Sequence, residues 1–262
     1  MSDAASHADA QPGLAHHFES YAQQKESAFL GMWLFLVQEV MFFGGLFVTY
    51  AVYRSLYGEA FALASQELSV PIGAANTVVL LCSSFTMVWA VLSAQKGNNR
   101  GIVWGLILTI VFGLIFIGVK IQWEYLPKYE HHLIPGPSFE YHPKGGDAHG
   151  AAAVDHGAVV APATAGASTV EAGTGRGFPN SHQSDRGIEI FFALYFTMTG
   201  MHALHMVVGI GIMLWMIPMA AKGKWTPDNH NFVEGFGLYW HFVDIVWIFI
   251  FPFLYLIGLA GG

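Results

Sequence analysis

The sequence predicts an all-α, polytopic membrane protein: five transmembrane helices in a bundle, with a long irregular outer loop. Three observations carry that reading. Five apolar runs, about 28–53, 70–94, 101–121, 188–220 and 232–260, each reach the roughly 20 residues that a helix needs to cross a bilayer. A composition of 54% hydrophobic and 11% charged residues, with positive mean hydropathy, would leave a soluble fold with far too much apolar surface in water. A soluble enzyme is excluded. The runs also lack the alternation of barrel strands ~10 residues long, so helices must satisfy the backbone polar groups in lipid.

Residues 1–27 hold Asp3, Asp9, Glu19, Glu26 and Lys25 and no apolar core, so they read as a cytoplasmic tail rather than a cleaved signal. The first run, Ala28 to Tyr53, acts as its own insertion signal. The second, Val70 to Ala94, carries Cys82, the single cysteine, which leaves neither an intrachain disulfide nor a cysteine metal cage. The third, Gly101 to Ile121, brings Lys120 four residues before Glu124, which reads as a lysine snorkelling outward beside a local partner. Trp33 and Trp104 lie at one set of helix ends and Trp123 with Tyr125 at the other, as an aromatic belt requires. Residues 129–185 are rich in Gly, Ala, Pro and His and close to low complexity from Ala151 to Gly175, so they read as a periplasmic loop without a core of its own. His131, His132, His142, His149, His156 and His182 lie there at irregular spacing with no cysteine beside them, which argues against a metal site. The fourth run, Ile188 to Ala220, and the fifth, Phe232 to Ala260, complete the bundle. Lys96 and Arg100 in one short loop, with Lys222 and Lys224 in another, place those loops and the N-terminus in the cytoplasm and the C-terminus in the periplasm. The net charge of -7 is spread over tails and loops, and the sequence offers no basic groove for nucleic acid.

The informative positions are the polar residues inside the apolar runs. Glu39 stands well within the first run, in Gln38-Glu39-Val40-Met41-Phe42-Phe43. An ionised carboxylate facing lipid there costs on the order of 3 kcal/mol, so it should face protein. Two readings stand: a proton-exchanging group or a buried hydrogen-bonding anchor. His202 and His205 are spaced to share one face of the fourth helix, with about 60° between them. His241 in the fifth run could be a third ligand, with Glu234 on nearly the same stripe and Asp244 one turn on. Metal binding is open to such a set. A polar interhelical lock, in which histidines and carboxylates satisfy one another, needs fewer coincidences.

These residues resemble subunit III of the haem–copper cytochrome c oxidases. The strongest match is Phe232-Val233-Glu234-Gly235-Phe236-Gly237-Leu238-Tyr239-Trp240-His241-Phe242-Val243-Asp244-Ile245-Val246-Trp247, which is similar to the family's last helix. Thr199-Gly200-Met201-His202-Ala203-Leu204-His205 resembles its penultimate helix, Asn76-Thr77 through Trp89-Ala90 its fourth, and Glu124-Tyr125 the end of its fifth. Glu39 before Phe42-Phe43 resembles the segment carrying the family's reactive membrane carboxylate. The likeness runs from about Lys25 to the end, apart from the outer loop.

The resemblance implies a subunit without a redox centre, in the inner membrane of a bacterium. Subunit I would be its main contact, with subunit II and other respiratory subunits nearby. Haem and copper would sit in those partners and none in this chain, with phospholipid filling a cleft and membrane lipids around it. Its task would be to steady subunit I and sustain proton uptake during oxygen reduction in aerobic respiration. Glu39 then takes the place of the family carboxylate, and His202, His205, Glu234, His241 and Asp244 take its buried polar positions. The full-length family has seven helices, so the bacterial five-helix form is the better comparison. The family's lipid-phosphate arginine is replaced here by Met219. Two rivals remain: an accessory subunit of a nitric oxide reductase or quinol oxidase, and an autonomous proton or ion carrier. The carrier predicts an internal repeat or helices broken in mid-membrane, and the sequence offers neither.

Overall fold

A computed structural model describes residues 20–130, 181–226 and 230–256, with the side chains of all but residues 21, 130 and 181–184. Most of the tail, residues 131–180 of the outer loop with all its histidines but His182, and residues 257–260 of the fifth run lie outside the described residues. So does the side chain of His182.

The described chain is all-α. Its elements are α1 (Tyr21–Leu56), α2 (Gly58–Ser65), α3 (Val70–Gln95), α4 (Asn99–Val119), α5 (Leu126–Glu130), α6 (Ser181–Ala221) and α7 (Asn231–Phe251). Two π-helical segments join them, Lys120–Tyr125 between α4 and α5 and Pro252–Leu256 after α7. Five stretches, Ala22–Leu56, Val70–Gln95, Asn99–Tyr129, Asp185–Ala221 and Asn231–Leu256, are long and apolar enough to span a membrane. The protein is a multi-pass membrane protein.

The helices outrun the apolar runs at their ends. Helix α1 starts at Tyr21 because Ser20 caps it, its Oγ accepting from the Gln23 amide at 3.2 Å. Asn98 does the same for α4 through the Gly101 amide at 3.2 Å. At the C-termini of α3 and α6, Gly97 (φ 69°) and Gly223 (φ 72°) take the left-handed conformation that closes a Schellman turn. The Asn98 and Lys224 amides accordingly reach back to the Ser93 and Met219 carbonyls at 2.9 and 3.1 Å. Helix α2 is an addition to the predicted elements: it buries Ala60, Phe61, Ala64 and Ser65 against α6.

Packing is tightest between α3 and α4, where Gly105 lets the backbones approach. A Cβ there would stand 2.8 Å from that of Ala90. Helix α7 packs on α3, α6 and α1, and its two fully buried indoles are tied to α3 hydroxyls. Trp240 Nε1 donates to Ser83 Oγ and Trp247 Nε1 to Thr77 Oγ1, each at 3.1 Å. A satisfied indole N–H lets a large ring fill a core without an orphaned donor.

Candidate functional site

Helix α1 touches the bundle along a narrow stripe, Leu36, Glu39, Phe43 and Tyr50, spaced three, four and seven residues apart. Glu39 is the one carboxylate on that stripe. Its Oε2 lies 3.1 Å from Nε2 of His205 on α6. The other ring nitrogen, Nδ1, is 2.7 Å from the Met201 carbonyl, which can only accept, so Nδ1 carries a hydrogen. The contact between Nε2 and Oε2 then holds one shared proton: either the imidazole is doubly protonated or the carboxyl group is the donor. Tyr239 of α7 donates to the His205 carbonyl at 2.8 Å, and the Phe43 ring lies 5.3 Å from the imidazole, so three helices fix the pair.

A cavity of about 710 Å³ ends at this pair. Its walls are apolar: Phe29, Met32 and Phe35 of α1, Val208 and Ile212 of α6, and Phe236 of α7. Gln24 and Asn231, near the starts of α1 and α7, line its far end. By helical rise the cavity runs ~22 Å from Gln24 to Glu39. An apolar groove with polar groups at its two ends suits an acyl chain better than a column of water.

The other sequence-predicted residues do not join this pair: the polar contacts are spread along the bundle, helix by helix. His202 and His205 share a helix face in sequence, yet their rings part. His202, 1% exposed, is wedged between Phe116 and Trp247 with neither ring nitrogen hydrogen-bonded. His241 pairs with Ser84 of α3, Nδ1 to Oγ at 2.7 Å. Asp244 is buried beside Ser84. Glu234 accepts from Gln95 at 2.8 Å and meets His230 at 3.0 Å, at the end of the bundle where α7 begins. Among the described residues no three His, Cys, Asp or Glu side chains converge as a metal-ligand set.

The densest polar cluster lies at the opposite end of the bundle, and its tyrosines were not foreseen. Glu124 Oε2 accepts from Lys120, from Tyr255 and from Tyr195, the last at 2.5 Å. The Lys120 ammonium also donates to Tyr255 at 2.6 Å and sits 4.4 Å from the Trp247 ring centre. Lys120 therefore does not snorkel outward: it is 4% exposed, enclosed by aromatic faces that attract a cation. Its local partner is Glu124. The wider π-helical turns carry Lys120, Glu124 and Tyr255, so the residues that break the α-helical phase are those that close the network. Tyr125 faces inward as well, bonded to Thr199 at 2.8 Å, whereas Trp33, Trp104 and Trp123 stay exposed as belt residues should. A tyrosine inside each of two apolar runs, Tyr195 and Tyr255, was the available signal.

Comparison with known proteins places these features in a family. A model described as cytochrome c oxidase subunit III matches residues 15–129 and 184–259 of the chain. The chain is 30% identical over 234 residues to cytochrome bo(3) ubiquinol oxidase subunit 3 of Pseudomonas aeruginosa, covering 87% of this chain and 84% of that one. It is 27% identical over 254 residues to cytochrome c oxidase subunit 3 of Alkalihalophilus pseudofirmus, covering 97% and 98%. Quinol oxidase subunit 3 of Bacillus spizizenii is 27% identical over 232 residues, covering 88% of each.

Proposed function

The chain belongs to the cytochrome c oxidase subunit III family, and on that premise we propose that it steadies the catalytic subunit I of a bacterial terminal oxidase and sustains proton uptake into it. Membership makes it a haem–copper oxidase subunit III, a component of a respiratory oxidase complex. The proposal adds the roles. The reading sets the N-terminus in the cytoplasm and the C-terminus in the periplasm, by the lysines and arginines of the short loops. Haem and copper reside in the partner subunits, and this chain holds no redox centre. The separated surroundings of His202 and His205 support that division of labour.

The observation that carries the reading is the contact between Glu39 and His205 at the end of an apolar cavity. A buried pair that shares one proton can pass it on with small movements of either side chain, which suits a group that tunes proton delivery without doing redox chemistry. Phospholipid is the proposed occupant of the cavity, because its acyl chain matches the lining and would keep water from Glu39. In that scheme the lipid sets how readily the pair exchanges its proton.

The test is Glu39→Ala in the assembled oxidase. Haem absorbance and initial oxygen reduction are expected to persist, while proton uptake slows or activity decays during prolonged turnover. Complete loss of the haem signal in a normally assembled complex would overturn the reading. A second reading, subunit III of a quinol oxidase, is favoured by the names of two relatives. Assaying the purified complex with quinol and with reduced cytochrome c separates the two.

A further inference from the structure

Partway along α3 and α7, on a face away from the Glu39 site, the seam between the helices exposes polar side chains that site does not use. Ser84 and His241, both half-buried, meet there at 2.7 Å through Nδ1 of the ring. Asp244, 2% exposed and one turn beyond His241, stands beside Ser84 with neither carboxyl oxygen in a well-formed hydrogen bond. The surface around them is apolar and exposed: Leu81 and Val88 on α3, Ile245 and Ile248 on α7. By helical rise, Ser84 and His241 each lie ~15 Å from the helix end they share, which is near the bilayer midplane.

At that depth hydrocarbon offers no partner to a ring nitrogen. With Nδ1 engaged by Ser84, Nε2 of His241 is left for a group outside the described residues. A lipid chain covers Leu81 and Ile245 well enough, but its polar atoms stay at the membrane surface. We propose that this seam receives a transmembrane helix of another polypeptide, which sets a hydroxyl or carboxamide side chain against Nε2 of His241. Such a side chain both donates and accepts, so it suits whichever tautomer Ser84 selects. Ser84 stands at the same height on α3, and the two side chains fix the depth at which the incoming helix docks. The proposal rests on the reading of the chain as a subunit of a larger membrane complex.

The experiment uses the complex purified in mild detergent through a tag on this chain. A photoreactive benzoylphenylalanine at Ile245, which is exposed and one turn from His241, leaves the core untouched. Irradiation is expected to yield an adduct within an apolar segment of another chain, with Ser, Thr, Asn or Gln within one helical turn of the attachment point. Adducts to lipid alone, or to a second copy of this chain, would overturn the proposal. In parallel, His241→Leu should lower the amount of retained partner by about threefold to tenfold, the range for interhelical polar contacts, and His241→Gln should restore it. Unchanged retention in His241→Leu would also overturn it. A captured complex without an oxidase spectrum would count against the assignment to an oxidase while leaving the crosslink at this seam readable.

Discussion

Of the buried carboxylates, Glu39 and Glu124 each stand beside a basic side chain, and their settings are opposite. Glu39 meets His205 through one contact, at the end of a 710 Å³ cavity that reaches toward the starts of α1 and α7. Glu124 meets Lys120 near the other end, with two tyrosine hydroxyls on the same oxygen and three aromatic rings around the ammonium. The first pair rests on one contact between side chains and borders a cavity. The second is sealed, its donors all converge on one acceptor, and any change would strand a charge in a medium of low dielectric. Pairing acid with base inside a membrane therefore says little by itself. Access is what separates the two settings.

Substitutions can break or sharpen this contrast. The largest effect should come from Glu124→Ala, which leaves the buried Lys120 ammonium without its counter-charge. A loss of ~3–5 kcal/mol is expected, read as little or no monodisperse protein on size exclusion after mild extraction. If that variant extracts and runs like the wild type, the sealed pair is not structural and the contrast fails. Next in size is the double change Lys120→Met with Glu124→Leu. Replacing both charges by apolar groups of similar volume should recover part of the loss by thermal melting in detergent, the remainder reflecting the Tyr195 and Tyr255 hydroxyls left without their acceptor. Third, Glu39→Gln keeps a hydrogen-bonding group opposite His205, so the melting temperature should stay close to wild type while activity during prolonged turnover declines. A large drop in melting temperature would make Glu39 an anchor like Glu124. The smallest change is expected from Tyr239→Phe, which removes only the hydroxyl that braces the His205 carbonyl. It should cost ~0.5–1.5 kcal/mol and leave initial oxygen reduction unaltered.

How much of this was legible in the sequence follows from what lipid demands. The number of spans and the positions of their centres could be read because hydrocarbon tolerates only long apolar helices. Their ends could not, since α1 and α6 continue past the apolar runs into residues that hydropathy scores as polar, where caps and backbone hydrogen bonds sustain the helix. Helix α2 escaped notice because eight residues with only one face buried leave a weak periodic signal. Glu39 stood out as a carboxylate where lipid would penalise it, but His205 as its partner depends on the rotational phase of α6 against α1, which one sequence does not encode visibly. The spacing of His202 and His205 suggested a shared task. An angular offset of about 60° was enough to send one ring toward α1 and the other among Phe116 and Trp247. Lys120 was misjudged for a related reason: a snorkelling lysine and a buried one look alike until the Tyr195 and Tyr255 rings, distant in sequence, are seen around the ammonium.

The tight turn at Gly97 has a bearing on how the protein is made. Helices α3 and α4 are joined by three residues and form the most extensive contact in the bundle, so they can associate as a hairpin as soon as both have left the translocon, before the rest of the chain is synthesised. Helix α1, buried only along its narrow stripe, emerges earlier yet has almost nothing to grip until α6 and α7 arrive. Biogenesis should thus run from the middle of the chain outward. The newborn first helix waits in lipid, and the wall that completes the Glu39 chamber is the last to dock.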